Sequence, residues 1–308
     1  MMSRAIIRIP LKLLAFGIVT ILTLFPDPIQ LSRHLSHVTN LEKMVQPDAP
    51  ELAAMEVELL ARLDASAIVS SQPAIQNAPE RSLTPVAKPG VRSPRETQRE
   101  VERFVLEKVP YDWDWNIWGS ADYMPTIAEM FEKAKSYADG KIREDCDGRA
   151  VMAASLMRRL GYDSHIVTDL RHVWVVTKEG EWMGPGRAKS VRSTSRGNKT
   201  DVWATIINIP VSLSYGIAVF PLWRECIIAA TAYLLLLHRK MGWRSAVIGG
   251  ILLIEGLLFM RLGYLAPQHV ARDVSAWPSW IGILHLLLAL GVLMRSSHMA
   301  RRRVVSAQ

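Results

Sequence analysis

The chain of 308 residues has only two cysteines, Cys146 and Cys226, and they lie in regions of different character, which excludes a disulfide framework. It has no cluster of residues at metal-ligand spacing and no glycine-rich phosphate loop, so neither a metal nor a cofactor is expected. The central part lacks a basic excess. Residues 30–203 hold 24 basic and 25 acidic side chains, and so neutral a stretch excludes nucleic acid as a partner. Residues 204–308, by contrast, are short of acid, with 10 basic residues against 3 acidic. With 49% hydrophobic residues, 21% charged and a mean hydropathy of +0.12, the chain is not disordered, and part of it is expected in a lipid bilayer.

Long hydrophobic runs are present at both ends. The first, residues 6–25, is uncharged from Leu13 to Phe25. A signal peptide looks similar, but the exit Leu24-Phe25-Pro26-Asp27 lacks a small-residue cleavage pattern, so residues 1–28 are read as a retained signal anchor. Residues 221–238, 245–266 and 277–294 supply three further spans within a membrane region of 204–296, each near the ~20 residues that cross hydrocarbon as a helix. Residues 208–220, broken by Pro210, Ser212, Ser214 and Gly216, are read as interfacial. Cytoplasmic loops carry the lysine and arginine excess. Arg4 and Arg8, then Arg239, Lys240 and Arg244, then Arg295 and the basic tail 297–308 fit one multi-pass topology in a cytoplasmic (inner) membrane. Both termini are cytoplasmic and residues of about 27–204 are exported. Within the bundle, Glu255 and His285 fall at nearly the same depth, and polar groups there need partners, so a Glu255–His285 contact is expected.

The exported part opens with a helical, membrane-proximal segment (29–66) carrying Leu31, Leu35, Val38, Leu41 and Val45 at helical spacing. Residues 67–93, rich in proline and serine, are read as a linker. A folded unit (94–186) begins at the capping box Ser93-Pro94-Arg95-Glu96, with Val101, Phe104, Val105 and Val109 as one apolar helix face. Thr126 to Glu129 opens a second helix, with Ile127, Met130, Phe131, Ala134 and Tyr137 as its stripe and Gly140 to end it. Residues 187–203, with Arg187, Lys189, Arg192, Arg196 and Lys199, are read as a basic tether.

The chemistry is concentrated in two short stretches. Asp145-Cys146-Asp147-Gly148 opens a helix, and unpaired backbone N–H groups at a helix start favour a thiolate, while the two flanking carboxylates oppose it. His172 begins the β-rich run His172-Val173-Trp174-Val175-Val176-Thr177, whose alternation puts His172 and Trp174 on one face. A thiol facing an imidazole is the pairing that acyl transfer through sulfur requires, since the base takes the thiol proton and returns it to the leaving group. A lone cysteine is more often an inert buried hydrophobe. His165, alternating with Val167, is read as packing. The aromatic run from Tyr111 to Trp118 is read equally as a substrate wall or as cover for the core.

These residues resemble the transglutaminase-like superfamily of papain-related thiol enzymes over about residues 95–186. The likeness rests on Trp118-Gly119, Asp122-Tyr123, Thr126 and Glu129, on Asp145-Cys146-Asp147-Gly148-Arg149-Ala150 followed by Leu156, Leu160, Gly161 and Tyr162, and on His172-Val173-Trp174. The resemblance implies an α+β domain with the cysteine helix packed on a small antiparallel sheet, Cys146 as nucleophile and His172 as its base. Trp118, Tyr123 and Trp174 are the candidate substrate contacts. The superfamily's third member, an Asp on the next strand, has no counterpart. From Trp182 to Gly197 there is no Asp, Glu, Asn or Gln, which leaves Asp169, Glu181 or Asp201 as substitutes. The whole is expected to be an α+β transglutaminase-like domain on an α-helical membrane region of four spans. It would act as a cysteine peptidase, amidase or transglutaminase on exported protein or peptide. The rival reading is a catalytically silent domain that binds peptides or assembles membrane-protein partners.

Overall fold

The computed structural model describes residues 4–70, 93–169, 172–184, 191–194, 197–238, 241–262 and 277–305. The first helix, α1 (Arg4–Leu24), ends where Asp27 caps α2 (Pro28–Thr39), its carboxylate accepting from the Ile29 and Gln30 N–H groups. The proline at N1 favours this sharp restart, and the axes bend by 84°. A short α3 (Leu41–Met44) and α4 (Leu52–Ser70) follow. The backbone stays helical to Ser70, past the expected start of the linker at 67. The rest of that expected linker, 71–92, lies outside the described residues.

The capping box at Ser93 and Glu96 is formed on both sides and opens α5 (Pro94–Lys108), which buries Val101, Phe104 and Val105. A single turn, α6 (Asp114–Ile117), precedes α7 (Ile127–Ala134), itself opened by the Thr126/Glu129 capping box. The α7 helix stops six residues before Gly140, so Tyr137 lies beyond its buried stripe and is only partly covered. Next comes α8 (Cys146–Arg159), buried along most of its length. Three antiparallel strands, β1 (Ser164–Thr168), β2 (Val173–Thr177) and β3 (Gly180–Trp182), form a sheet in chain order. Val173 and Val175 face the α5/α8 core, while Trp174 and Val176 join Val167 in a separate buried cluster.

The same core takes in Met44, Val45, Leu52, Leu59 and Leu63, so α3 and α4 pack directly on the thiol-bearing unit. Arg159 fastens them: it pairs with Glu56 at 2.6 Å and donates to the Pro47 and Ala49 carbonyls. Within the stretch expected to be a basic tether, β4 (Val191–Thr194) and β5 (Gly197–Thr200) form an antiparallel hairpin. Alternation through Val191-Arg192-Ser193-Thr194 suits a strand better than its basic composition implies.

Four helices complete the chain: α9 (Val202–Val219), α10 (Leu222–Leu236), α11 (Trp243–Leu262) and α12 (Trp277–Val305). All but the last of residues 208–220, expected to be interfacial, belong to an 18-residue helix that runs through Pro210 and meets α10 at a bend of 119°. Among the described residues, only α11 and α12 are each long and apolar enough to cross a membrane. The pairs α1–α2 and α9–α10 qualify as bent pairs, giving two to four crossings. Helices α11 and α12 close on each other at Gly256 and Gly282, where an added Cβ on either would fall within about 3 Å of the other's carbonyl oxygen. Glu255 Oε2 lies 3.7 Å from His285 Nε2, and His285 Nδ1 lies 2.9 Å from the Ile281 oxygen.

Candidate active site

The N-terminus of α8 is built by Asp145, whose side chain accepts from the Asp147 N–H at 2.9 Å. This cap presents Cys146 at the first helical position, half-buried, with the Val173 backbone N–H of β2 directed at its sulfur. Val173 follows His172, so the packing of α8 on β2 brings thiol and imidazole to one place. Both open onto a cavity of about 790 Å³, together with Asp145, Asp147, Asp169, Trp113 and Trp115.

The surroundings of the thiol disfavour its ionised form. Its sulfur lies 3.3 Å from Asp147 Oδ1 and donates to it. Burial pushes the Cys146 pKa well above the usual thiol range, the charges of Asp145 and Asp147 push it further, and the Val173 N–H pulls the other way. Here desolvation and like charge outweigh the helix terminus.

Around the thiol is a group of carboxyls invisible in the spacing of the sequence. A parallel bridge between Tyr111 and Glu144 brings two segments together, so that oxygens of Asp114, Glu144 and Asp145 lie within 4.8 Å of one another, as do ligand atoms of Asp145, Cys146 and Asp147. The spacing of the sequence does not show the first of these groups, whose oxygens come from positions thirty residues apart. Glu144 is 0% exposed, and the Trp118 indole, turned toward it, is its one polar neighbour close to hydrogen-bond reach among the described residues. It fits only because residue 148 is glycine: a Cβ there would sit 2.5 Å from Glu144 Cγ. Asp114 accepts from the Tyr123 N–H at 2.6 Å through Oδ2, and its Oδ1 is without a partner. Burial raises the pKa of Asp114, Glu144 and Asp147 well above the carboxylate range, with Asp145 adding to each, and Asp145 itself is pushed up to about 7, first by burial. Such a group persists only with its charge compensated, by protons or by a hard cation held through oxygen.

The cavity's aromatic wall comes from the run between Tyr111 and Trp118, not from the three expected substrate contacts. Tyr123 and Trp174 are buried in the protein, and Trp118 turns toward Glu144, so none of the three lines the cavity. Trp113 and Trp115, stacked at 4.9 Å, take that place, with Tyr111 edge-on to Trp113 and the Arg149 guanidinium over Tyr111. Tyr215 of α9 completes it. Its ring lies 6.1 Å from both His172 and Trp113, and its hydroxyl hydrogen-bonds that of Tyr111. Nothing in the sequence marks Tyr215 except a lone tyrosine in an apolar run.

Of the candidates for third member, Asp169 stands closest. Its Oδ1 accepts the backbone N–H of His172 at 3.1 Å, and its own N–H donates to the His172 carbonyl, which folds the β1–β2 turn onto the cavity. Glu181 is paired with Val176, four residues along β2 from His172, which is roughly 13 Å at strand rise. Asp201 starts α9, fourteen residues before Tyr215, or roughly 21 Å of helix. Neither lines the cavity. At Gly184, where the superfamily's Asp was looked for, an added Cβ would lie 3.2 Å from the Trp174 ring, so that position faces Trp174.

No family model matches this chain, and neither any curated protein nor any solved structure matches it.

Proposed function

We propose that the chain is a membrane-bound thiol enzyme of the transglutaminase-like kind, in which Cys146 attacks an acyl carbonyl and His172 accepts the thiol proton. The observation that carries this reading is the shared cavity, onto which the start of α8 and the start of β2 present thiol and imidazole beside an aromatic wall. Because the resting thiol is neutral, the proton passes to His172 as the carbonyl arrives, and no standing thiolate is needed. Asp169 holds the histidine's backbone and acts as the positioning residue. The site lies on the exported side of a cytoplasmic membrane, with both termini inside and four spans, as the distribution of lysine and arginine supports.

The rival, a silent binding domain, is favoured by one specific feature, the donation of the Cys146 thiol to Asp147. Acylation by p-nitrophenyl acetate, followed by intact mass on the Cys226→Ala protein, separates the two. The enzyme reading expects a single acyl adduct that is lost in Cys146→Ala and slowed by orders of magnitude in His172→Ala. A silent domain forms no such adduct, or forms it regardless of His172.

A further inference from the structure

The cavity does not end at the thiol. It continues into the membrane bundle, where Ile228, Ala229 and Ala232 of α10 and Leu253 and Leu257 of α11 line it. Ala232 lies eight residues beyond Arg224 on α10, and Leu253 eight residues before Arg261 on α11. Both helices therefore place its floor about 12 Å below the arginines. Arg224 donates to the Gly119 carbonyl beside the site, and Arg261 pairs with Glu225 at 2.7 Å, which marks the arginine level as the polar boundary.

Helices α10 and α11 touch at few points. Two polar contacts tie them, Glu225–Arg261 at one end and the Tyr233 hydroxyl to the Ala246 carbonyl at the other. Between these ties lies a second, apolar cavity of about 580 Å³ that shares Glu225, Ala229, Leu253 and Leu257 with the first. Its outer wall includes Ile254 and Leu258, both more than half exposed. The outer cavity, on the bilayer side of the bundle, thus shares a largely apolar wall between the two helices with the cavity onto which Cys146 opens.

The occupant is set by the lining: below the arginines the α10 and α11 residues facing the cavity, Ile228, Ala229, Ala232, Leu253 and Leu257, are all apolar and offer nothing to the N–H and C=O groups of a peptide backbone. A single hydrocarbon chain fits. We propose that this cavity binds the hydrocarbon chain of a lipid-linked substrate, which enters sideways from the bilayer between α10 and α11 and presents its acyl carbonyl to Cys146. The assignment of the chain's polar end rests on the reading of Cys146 as nucleophile.

The test uses the full-length Cys226→Ala protein in lipid nanodiscs and compares p-nitrophenyl palmitate with p-nitrophenyl acetate. In each case the Cys146 sulfur attacks the carbonyl, a thioester forms, p-nitrophenolate leaves and the thiol proton passes to His172. The palmitate/acetate rate ratio is expected to exceed one by tenfold or more, since each buried CH₂ contributes about 0.8 kcal/mol. Filling the cavity removes that advantage: Gly216→Phe, at a helical lining position where an added Cβ meets nothing within 4 Å, and Ala232→Trp each lower the ratio by about tenfold. Leu287→Trp, on the exposed face of α12, leaves it unchanged. A ratio indifferent to both filling variants overturns the proposal. A second measurement is independent of sulfur chemistry: in Cys146→Ser protein, hexadecanamide with a terminal diazirine should crosslink to peptides carrying Ala232, Leu253 or Leu257, and unlabelled hexadecanamide should compete. Crosslinks that no amide displaces mean bulk lipid alone, and displacement only by an apolar helical peptide means a protein occupant; either result overturns the proposal. Failure of all acylation with the competed crosslinks intact removes the thiol chemistry and leaves the chain site standing.

Discussion

The helices of the membrane bundle pair their charged groups, whereas the centre of the thiol-bearing unit gathers buried carboxyls. In the bundle, Glu225 meets Arg261, Glu255 meets His285, and Lys12 of α1 donates to the Leu235 carbonyl of α10. Around α8, by contrast, Glu144 and Asp114 are buried beside Asp145 and Asp147, and Asp114 Oδ1 has no hydrogen-bond partner among the described residues. Pairing in the bundle is what hydrocarbon enforces. The carboxyl group around Cys146 has no such structural justification, and unsatisfied polar groups persist where a site uses them.

The comparison breaks most visibly at Arg261. Arg261→Ala leaves Glu225, 7% exposed, without its counter-charge and should cost about 3–5 kcal/mol, read as a large fall in thermal midpoint in detergent. Arg261→Ala/Glu225→Ala should recover much of it. A single substitution as harmless as the double would mean that the pair does not hold the bundle.

The carboxyls respond to pH in the direction their burial dictates. A carboxyl whose folded pKa is raised keeps a proton that the unfolded chain has already lost, so its contribution is full below about pH 4 and is lost as pH rises through about 7, the value for Asp145. Without divalent cations the thermal midpoint should therefore fall between pH 5 and pH 8. Added calcium or magnesium abolishes that fall if the group binds a cation, and leaves it if protons compensate the charge.

Smaller effects sharpen the contrast. Gly148→Ala forces a methyl onto Glu144 and should cost about 1–3 kcal/mol, even though alanine is the better helix former, and Glu144→Ala in the same chain should restore stability. At the bundle's own polar contact, His285→Ala should cost only about 0.6 kcal/mol, measured by unfolding in mixed micelles. A loss several times larger would make that contact a main support of the bundle.

Much of the local structure was legible because its signals are local. The Ser93/Glu96 and Thr126/Glu129 capping boxes, the Asp145 cap with Cys146 behind it, and the alternation through Val173 to Thr177 all involve residues within a turn or a strand of one another. The equal depth of Glu255 and His285 was legible for a similar reason, since helical rise converts sequence distance directly into depth. The carboxyl group was not, because it depends on the Tyr111–Glu144 bridge, a pairing across thirty-three residues with no periodic signature. Tyr215 reaches the site through the bend between α9 and α10, and Pro210 with Gly216 argued against a continuous helix there. Trp118 and Trp174 drew attention as large aromatics beside the motifs, yet the packing of β2 and the loop before α7 turns them inward and leaves Trp113 and Trp115 at the cavity.

Whether Cys146 is a nucleophile served by His172 is decided by the acylation rate of the Cys226→Ala protein as a function of pH. The account predicts that acylation occurs at Cys146 alone, faster than that of a free thiol whose pKa has been raised by burial, and that His172→Ala removes the acceleration while the protein keeps its thermal midpoint. An adduct that forms at the same rate with and without the imidazole, or no adduct at Cys146 at any pH, would contradict it.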